Sequence, residues 1–376
     1  VTAEKLTPAL DGLTAVRAVV GLDGFVDAII AVVDKRYSAD RYDPIRSIAV
    51  LAEKIRAAAG ESSNFELVLK QRKLGGNGPI MANALACLGL GVTYLGCVGY
   101  PEIDPVFHDF AQRAEVKGIA EPGTTDALEF DDGKLLLGKY ESLGNVSWDN
   151  LVARVGRAEL QRLFDGATLI GMANWTMLPR MSEVWDRLID EVLPAGSEDA
   201  DAGLGRKRTL FIDLADPEKR TFEDIRNALG HLTRFQAHVD VILGLNLKEA
   251  VEISHVLGQP RQADPESSVG PVAAAIRAAL GIGCVVIHPR RAAAAATAIE
   301  TAQFSGPFVQ QPLISTGAGD HFNAGFCLGR ILGLDLEESL CAGVACSGYY
   351  VRTAQSPSGA QLAEFIRVLP EPEPQG

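Results

Sequence analysis

Short runs of β-branched and other apolar residues alternate in this chain with longer stretches where apolar positions recur every three to four residues. The runs at 15–23, 92–98, 167–171, 209–213, 239–243 and 284–287 predict buried strands. The stretches at 44–59, 79–88, 181–192, 222–232, 247–257 and 272–280 predict helices. Continuous apolar strands alternating with helices predict an α/β fold, a mostly parallel central sheet covered on both faces. Two regions break the alternation. Residues 125–140 read as a hairpin, 127–130 and 134–138, because Asp132-Gly133 is a strong turn signal. The other, 25–73, is long and mixed. Both are expected to contribute to a small accessory sheet. Residues 195–207 read as an exposed loop and 370–376 as a disordered tail.

Composition narrows the partners. The chain has 376 residues, of which 47% are apolar, enough for one large α/β domain or two small ones. A net charge of −13 argues against nucleic acid or an anionic membrane, since both require a basic face. It does not exclude ATP, because a local anion hole and Mg²⁺ handle phosphates within an acidic protein. The six cysteines form no C-x-x-C pair and no zinc spacing, so they are expected to be core thiols of a cytoplasmic protein. No run is long enough to span a membrane, and no signal-peptide core opens the sequence.

The most informative stretch is Ser315-Thr316-Gly317-Ala318-Gly319-Asp320-His321, followed at once by an apolar helical pattern. Small residues at a helix start leave backbone N–H groups open to an anion, and the helix dipole favours negative charge there. Asp320 sets a candidate base beside that hole. Phosphoryl transfer to a hydroxyl needs this pairing. Three more polar clusters follow predicted strands or open predicted helices, the edge where ligands bind in open α/β sheets. Asp23 and Asp27 follow the first strand, as sugar-hydroxyl acceptors or as a solvated turn. Gly75-Gly76-Asn77-Gly78-Pro79 opens a helix, with Pro79 suited to its first turn. Asn246 and Glu249 lie three apart on one helix face, as a metal and phosphate pair or as a helix cap.

In this order and spacing the clusters resemble the ribokinase-like (PfkB-type) carbohydrate kinase family over about residues 16–359. The resemblance implies a three-layer α/β sandwich with a mostly parallel sheet and a small β lid. A single kinase domain would span 1–369, with lid segments within 25–73 and 122–142. It implies ATP-dependent phosphorylation of a sugar-like hydroxyl. Asp320 would be the base, and the amides of Gly317, Ala318 and Gly319 the anion hole. Asn246 and Glu249 would organise Mg²⁺ through water, and Asp23, Asp27, Gly75, Gly76, Asn77 and Asn174 would grip the acceptor. Asp213 and Thr316 fall with the nucleotide contacts, Arg220 near the phosphates, and Trp175 beside a sugar face or in the core. Family members often pair through their lids, which implies a homodimer.

Three positions depart from the family pattern. Ile314 replaces an aspartate that helps bind an activating monovalent cation, which argues against potassium dependence. Ile80 replaces an asparagine in the helix after the glycine pair, with Asn77 or Asn83 as candidates to compensate. His288-Pro289-Arg290-Arg291-Ala292 replaces a Thr-x-Gly turn that wraps the nucleotide, with the arginines as substitute phosphate ligands or the loop remodelled. Two other readings stay open: a nucleoside kinase of the same fold, and a non-catalytic sugar- or nucleotide-binding protein. A dinucleotide enzyme is disfavoured, because Gly89-Leu90-Gly91 and Gly281-Ile282-Gly283 precede strands rather than follow them.

Overall fold

The structure, a computed structural model, describes residues 2–196, 208–260, 264, 266 and 268–373. In chain order its strands are β1 (Arg17–Leu22), β2 (Phe25–Arg36), β3 (Tyr42–Pro44), β4 (Leu67–Gly75), β5 (Gly91–Gly96), β6 (Glu115–Gly118) and β7 (Gly123–Phe130). They continue with β8 (Gly133–Lys139), β9 (Leu169–Ala173), β10 (Thr209–Asp213), β11 (Asp240–Leu245), β12 (Cys284–Ile287), β13 (Ala292–Ala296) and β14 (Thr301–Ser305).

The large sheet runs β14-β13-β12-β11-β10-β9-β1-β5-β6. It is parallel from β12 to β6, and the β13–β14 hairpin adds two antiparallel strands at one edge. Period-two alternation sends neighbouring side chains of one strand into different cores. Val19, Leu210, Ile212, Val285 and Ile287 enter the core beneath the Phe222–Gln236, Leu247–Val256 and Val269–Leu280 helices. Val20, Phe211 and Val286 enter the core beneath the Asn77–Leu88, Ala318–Ile331 and Leu336–Thr353 helices. The result is helix, sheet, helix: three layers and two cores.

β1 lies between β9 and β5, so the chain builds outward from it on one side and later on the other. The C-terminal ends of β1, β9, β10 and β11 therefore open on one crevice at the point where the order reverses. Asp23, Asn174, Asp213 and Asn246 all lie at that edge.

The second sheet has five strands. β2 is its spine, antiparallel to β4 from Phe25↔Gly75 to Val32↔Leu67 and parallel to β7 from Phe25↔Gly123 to Ile30↔Leu128. β8 returns along β7, and β3 pairs the far end of β2. These strands come from the two segments that break the alternation, β4 running on to Gly75. The Asp-Gly turn does more than reverse the chain. The Asp132 carboxylate accepts from the Ser47 hydroxyl (2.9 Å) and the Ile48 N–H (2.9 Å). It thereby caps the Ile48–Ala57 helix, whose Leu51 joins Ile30, Val32, Ile45 and Leu128 in a small separate core.

Several elements differ from expectation. Residues 181–192 form an α-helix only to Arg187, then a π-helical turn at Leu188–Val192. The β13–β14 hairpin is absent from the sequence reading. Alanine favours helix, but five alanines, four of them buried, are too few to nucleate one, and sheet pairing prevails. β6 and the helices Trp148–Val155, Arg157–Asp165 and Leu336–Thr353 also go beyond the sequence reading. The expected disordered tail is held where it is described: Glu373 N–H donates to Phe308 O (3.0 Å), and its carboxylate accepts from Gln310 N–H (2.7 Å). Residues 374–376 and the expected loop at 197–207 lie outside the described residues.

Candidate active site

Asp23 anchors the crevice from below and has no exposed surface. Its carboxylate accepts the N–H groups of Asn77 (3.0 Å) and Gly78 (2.9 Å), the first residues of the Asn77–Leu88 helix, and the Asn174 amide (2.9 Å). The Tyr94 hydroxyl donates to its backbone carbonyl. A buried carboxylate on a helix N-terminus is well compensated, yet burial outweighs these bonds and raises its pKa to about 6. Gly78 has to be glycine, because a Cβ there would fall 2.5 Å from Asp23 Oδ1 and 2.7 Å from the Tyr94 hydroxyl. Asp23 thus holds the glycine turn and Asn174 in place and presents no free face to a ligand. Asn174, in a left-handed conformation (φ 63°), is itself buried.

Asp320 lies in the first turn of the Ala318–Ile331 helix, 6% exposed. Asn77 Nδ2 donates to its Oδ1 at 3.0 Å, so the Gly75–Pro79 turn and the Gly317–Asp320 turn meet. Burial, with Asp23 and Glu249 adding negative potential, lifts its pKa to about 8. The helix is entered through Gly317, whose φ of 87° suits glycine. Among the described hydrogen bonds, the N–H groups of Gly317 and Gly319 have no acceptor, while Ala318 N–H reaches Ser315 O (3.2 Å). Two unpaired donors therefore stand one turn from a buried carboxylate.

Asn246 and Glu249 form a complete capping box. Asn246 Oδ1 accepts Glu249 N–H (2.9 Å), and Glu249 accepts Asn246 N–H (2.8 Å) and Asp216 N–H (2.9 Å). The cap reading is the one the geometry shows, and the cap fixes a buried acid beside the crevice. Asp213 accepts from Ala215 N–H (2.9 Å) and from Asn323 Nδ2 (3.0 Å). Burial and the nearby Glu249 and Asp320 push its pKa well above the usual carboxylate value. Asn323 was missed from sequence, although it lies three residues after Asp320 on the same helix face. Its Oδ1 is buried with no donor. Among the described residues no three His, Cys, Asp or Glu side chains are arranged to hold an ion directly.

Asp27 sits on the second sheet with Lys73 directly opposite on β4 and Thr125 directly opposite on β7. Burial raises its pKa, and the Thr125 hydroxyl and Lys73 oppose that rise. Gly75 leaves the Asp27 carboxylate room, since a Cβ there would lie 2.6 Å from it. Gly76 is the turn before the Asn77–Leu88 helix. Thr316 is exposed, its carbonyl accepting from the Tyr350 hydroxyl at 3.0 Å.

Other assignments change. Trp175 is a core residue: it is fully buried, its Nε1 donates to Ser182 Oγ (3.0 Å), and the Arg220 guanidinium covers its ring. Arg220 also donates to Thr176 O (3.3 Å), so it braces this loop. Asn83 gives its amide to Ser356 Oγ (3.2 Å) rather than standing in for the residue replaced by Ile80. Ile80 packs against Gly317. In the 288–292 loop Arg291 stacks on Phe308, and His288 lies against Gly319 and Phe322, where burial lowers its pKa to about 4.

Known proteins resemble this chain in sequence and in fold. The family model described as prokaryotic ketohexokinase matches residues 3–368. A ketohexokinase of Haloferax volcanii is 30% identical over 364 residues, 96% of this chain and 93% of its own. Among solved structures, Arabidopsis thaliana ribokinase complexed with ribose and ATP superimposes with a TM-score of 0.61 at 15% identity, covering 94% of this chain and 98% of that one. A Methanocaldococcus jannaschii nucleoside kinase superimposes with a TM-score of 0.56 at 12% identity, covering 94% and 98%. At such identities the two structures establish the ribokinase fold.

Proposed function

We propose, for a chain that belongs to the prokaryotic ketohexokinase family and phosphorylates a sugar hydroxyl with ATP, that the acceptor is a ketohexose and Asp320 its base. The observation that carries the role of Asp320 is its place: a buried carboxylate with a pKa near 8, one turn from the open amides of Gly317 and Gly319. The family match carries the choice of acceptor.

In this reading Asp320 takes the proton of the acceptor hydroxyl. The freed oxygen attacks the γ-phosphorus of ATP, the bond to the β–γ bridging oxygen breaks, and ADP leaves. The Gly317 and Gly319 amides, with Ala318 beside them, stabilise charge on the transferring group. Asn77 orients the carboxylate. Asp23 is a positioning residue that fixes Asn77 and Asn174 from beneath. Asp27, flanked by Lys73 and Thr125, receives the acceptor's other hydroxyls, with Gly75 and Gly76 leaving room for it.

The donor set suits Mg²⁺, which prefers oxygen ligands and keeps much of its water: Asn246, Glu249 and Asp213 are oxygen donors, and Asn323 Oδ1 is a buried acceptor still open. These residues would hold the ion with the nucleotide phosphates, largely through water, where it would neutralise phosphate charge.

The second sheet would act as the lid over the acceptor. On the face that carries Asp27 and Lys73, β8 displays Leu136, which pairs with Ala127 of β7. Leu136 is exposed, and a second copy of the chain is proposed to cover it in a homodimer. A cytoplasmic setting fits the ATP requirement and the six free thiols.

A nucleoside acceptor would need an aromatic face for its base, and the fully buried Trp175 does not offer one. A coupled ADP-release assay with MgATP over ketohexoses, aldohexoses, pentoses and nucleosides tests the reading. The highest kcat/KM is expected with a ketohexose. Faster turnover of a nucleoside would overturn the acceptor assignment.

A further inference from the structure

Two consecutive carbonyls beneath the anion hole are held by side chains that no catalytic step uses. Tyr350 Oη donates to Thr316 O at 3.0 Å. His321 Nδ1 lies 2.7 Å from Gly317 O, which also accepts His321 N–H at 3.1 Å. A carbonyl only accepts, so Nδ1 carries the proton. The other ring nitrogen, Nε2, then accepts from the Ser356 hydroxyl (2.8 Å), and Ser356 Oγ accepts the Asn83 amide (3.2 Å). Each bond in the series has one permitted direction, and together they fix the tautomer of a buried imidazole. The rings of His321 and Tyr350 stack, with centroids 3.6 Å apart, so the two anchors form one unit. Burial keeps the imidazole neutral by lowering its pKa to about 4.

In a trans peptide the C=O and N–H point in opposite directions. Holding Thr316 O on one side aims Gly317 N–H to the other. Holding Gly317 O does the same for the next peptide, whose N–H belongs to Ala318 and reaches Ser315 O (3.2 Å), so that peptide plane is fixed from both sides. We propose that His321 and Tyr350, locked by Ser356 and Asn83, are positioning residues that fix the peptide planes of the anion-hole turn and so aim Gly317 N–H at the transferring phosphoryl group. This rests on the kinase reading above, and it goes further by assigning the hole's rigidity to four side chains outside it.

His321→Phe and Tyr350→Phe keep the rings and remove the donors. Both are expected to lower kcat about 10- to 100-fold with acceptor KM within about two-fold, because a small misplacement of a catalytic group costs that much. His321→Asn retains a donor at the Nδ1 position and should recover much of the loss. Hydrogen exchange followed by mass spectrometry on the segment 314–322 gives a readout independent of activity. Exchange at His321 N–H, which shares the Gly317 carbonyl, should quicken about five-fold or more in the Phe variants. Wild-type kcat in both Phe variants would overturn the proposal, as would a change confined to KM. So would equal losses in His321→Asn and His321→Phe accompanied by a lowered thermal midpoint, which would mark packing alone. Should the wild-type enzyme phosphorylate no sugar, the kinase reading fails. Exchange unchanged in the Phe variants would then refute the anchor on its own.

Discussion

The crevice at the β-strand ends and the second sheet solve opposite problems. In the crevice, Asp23, Asp213, Glu249 and Asp320 are all buried, and each accepts at least one hydrogen bond from the protein. Little there can move without stranding a charge. On the second sheet, Leu136 and Leu69 are 66% and 54% exposed, and a small core of Ile30, Val32, Ile45, Leu51 and Leu128 lies apart from the two large ones. The first region is built to hold a geometry. The second retains apolar surface that a closing motion or a partner can cover. In the proposed reading, chemistry falls to the rigid part and selection to the adaptable one.

The largest expected effect tests the rigid side. Asp320→Asn should lower turnover by roughly 10²–10⁴, the usual worth of a general base. It should also melt higher than wild type above pH 8, by about 2 °C or more, because it removes a buried charge. The sign follows from linkage. A carboxylate raised from 3.8 to about 8 binds more protons folded than unfolded, so its contribution to stability declines as pH rises across that interval. A loss of activity with no thermal gain would break the claim that burying the Asp320 charge costs stability.

Asp27→Asn tests the selective side. Acceptor KM should rise about 10- to 100-fold with kcat little changed, as expected for a group that binds ground and transition states alike. An equal fall in kcat would move Asp27 into the chemistry. A third test separates orientation from binding. In wild type, kcat/KM should increase with pH through about 8, as Asp320 loses its proton. The Asn77 amide lowers that pKa, so Asn77→Leu should displace the limb to higher pH. An unmoved limb would mean that another group titrates.

Two smaller effects complete the comparison. Leu136→Glu should convert a dimer to monomer in sedimentation while leaving the Asp320 pH limb in place. Replacing K⁺ by a large organic cation should change kcat by less than about two-fold, since Ile314 supplies no ligand. Strong K⁺ dependence would contradict that expectation.

Turns and strands were legible where the signal was local. The Gly-Ala-Gly-Asp turn, the Asp-Gly hairpin and the strand Thr209–Asp213 each announce themselves within a few residues. The role of Asp23 was not legible. A carboxylate after a strand reads alike whether it faces solvent or, as here, the start of a helix 54 positions away. Trp175 was ambiguous for the same reason, as were Asn83 and His321, whose partners at Ser356 lie far along the chain. Ala292–Ala296 defied local propensity because burial between two helix layers outweighs a few tenths of a kcal/mol per residue.

The Asn77–Asp320 bond joins residues 243 positions apart. As the chain leaves the ribosome, Asp23 and the helix that satisfies it are available early, within the first quarter of the sequence. Asp320, the proposed base, is made only after every described strand of both sheets. In that reading a chain released before residue 320 has no group to take the acceptor's proton. Because contacts far apart in sequence form only after the intervening chain is ordered, activity is expected to appear late in refolding.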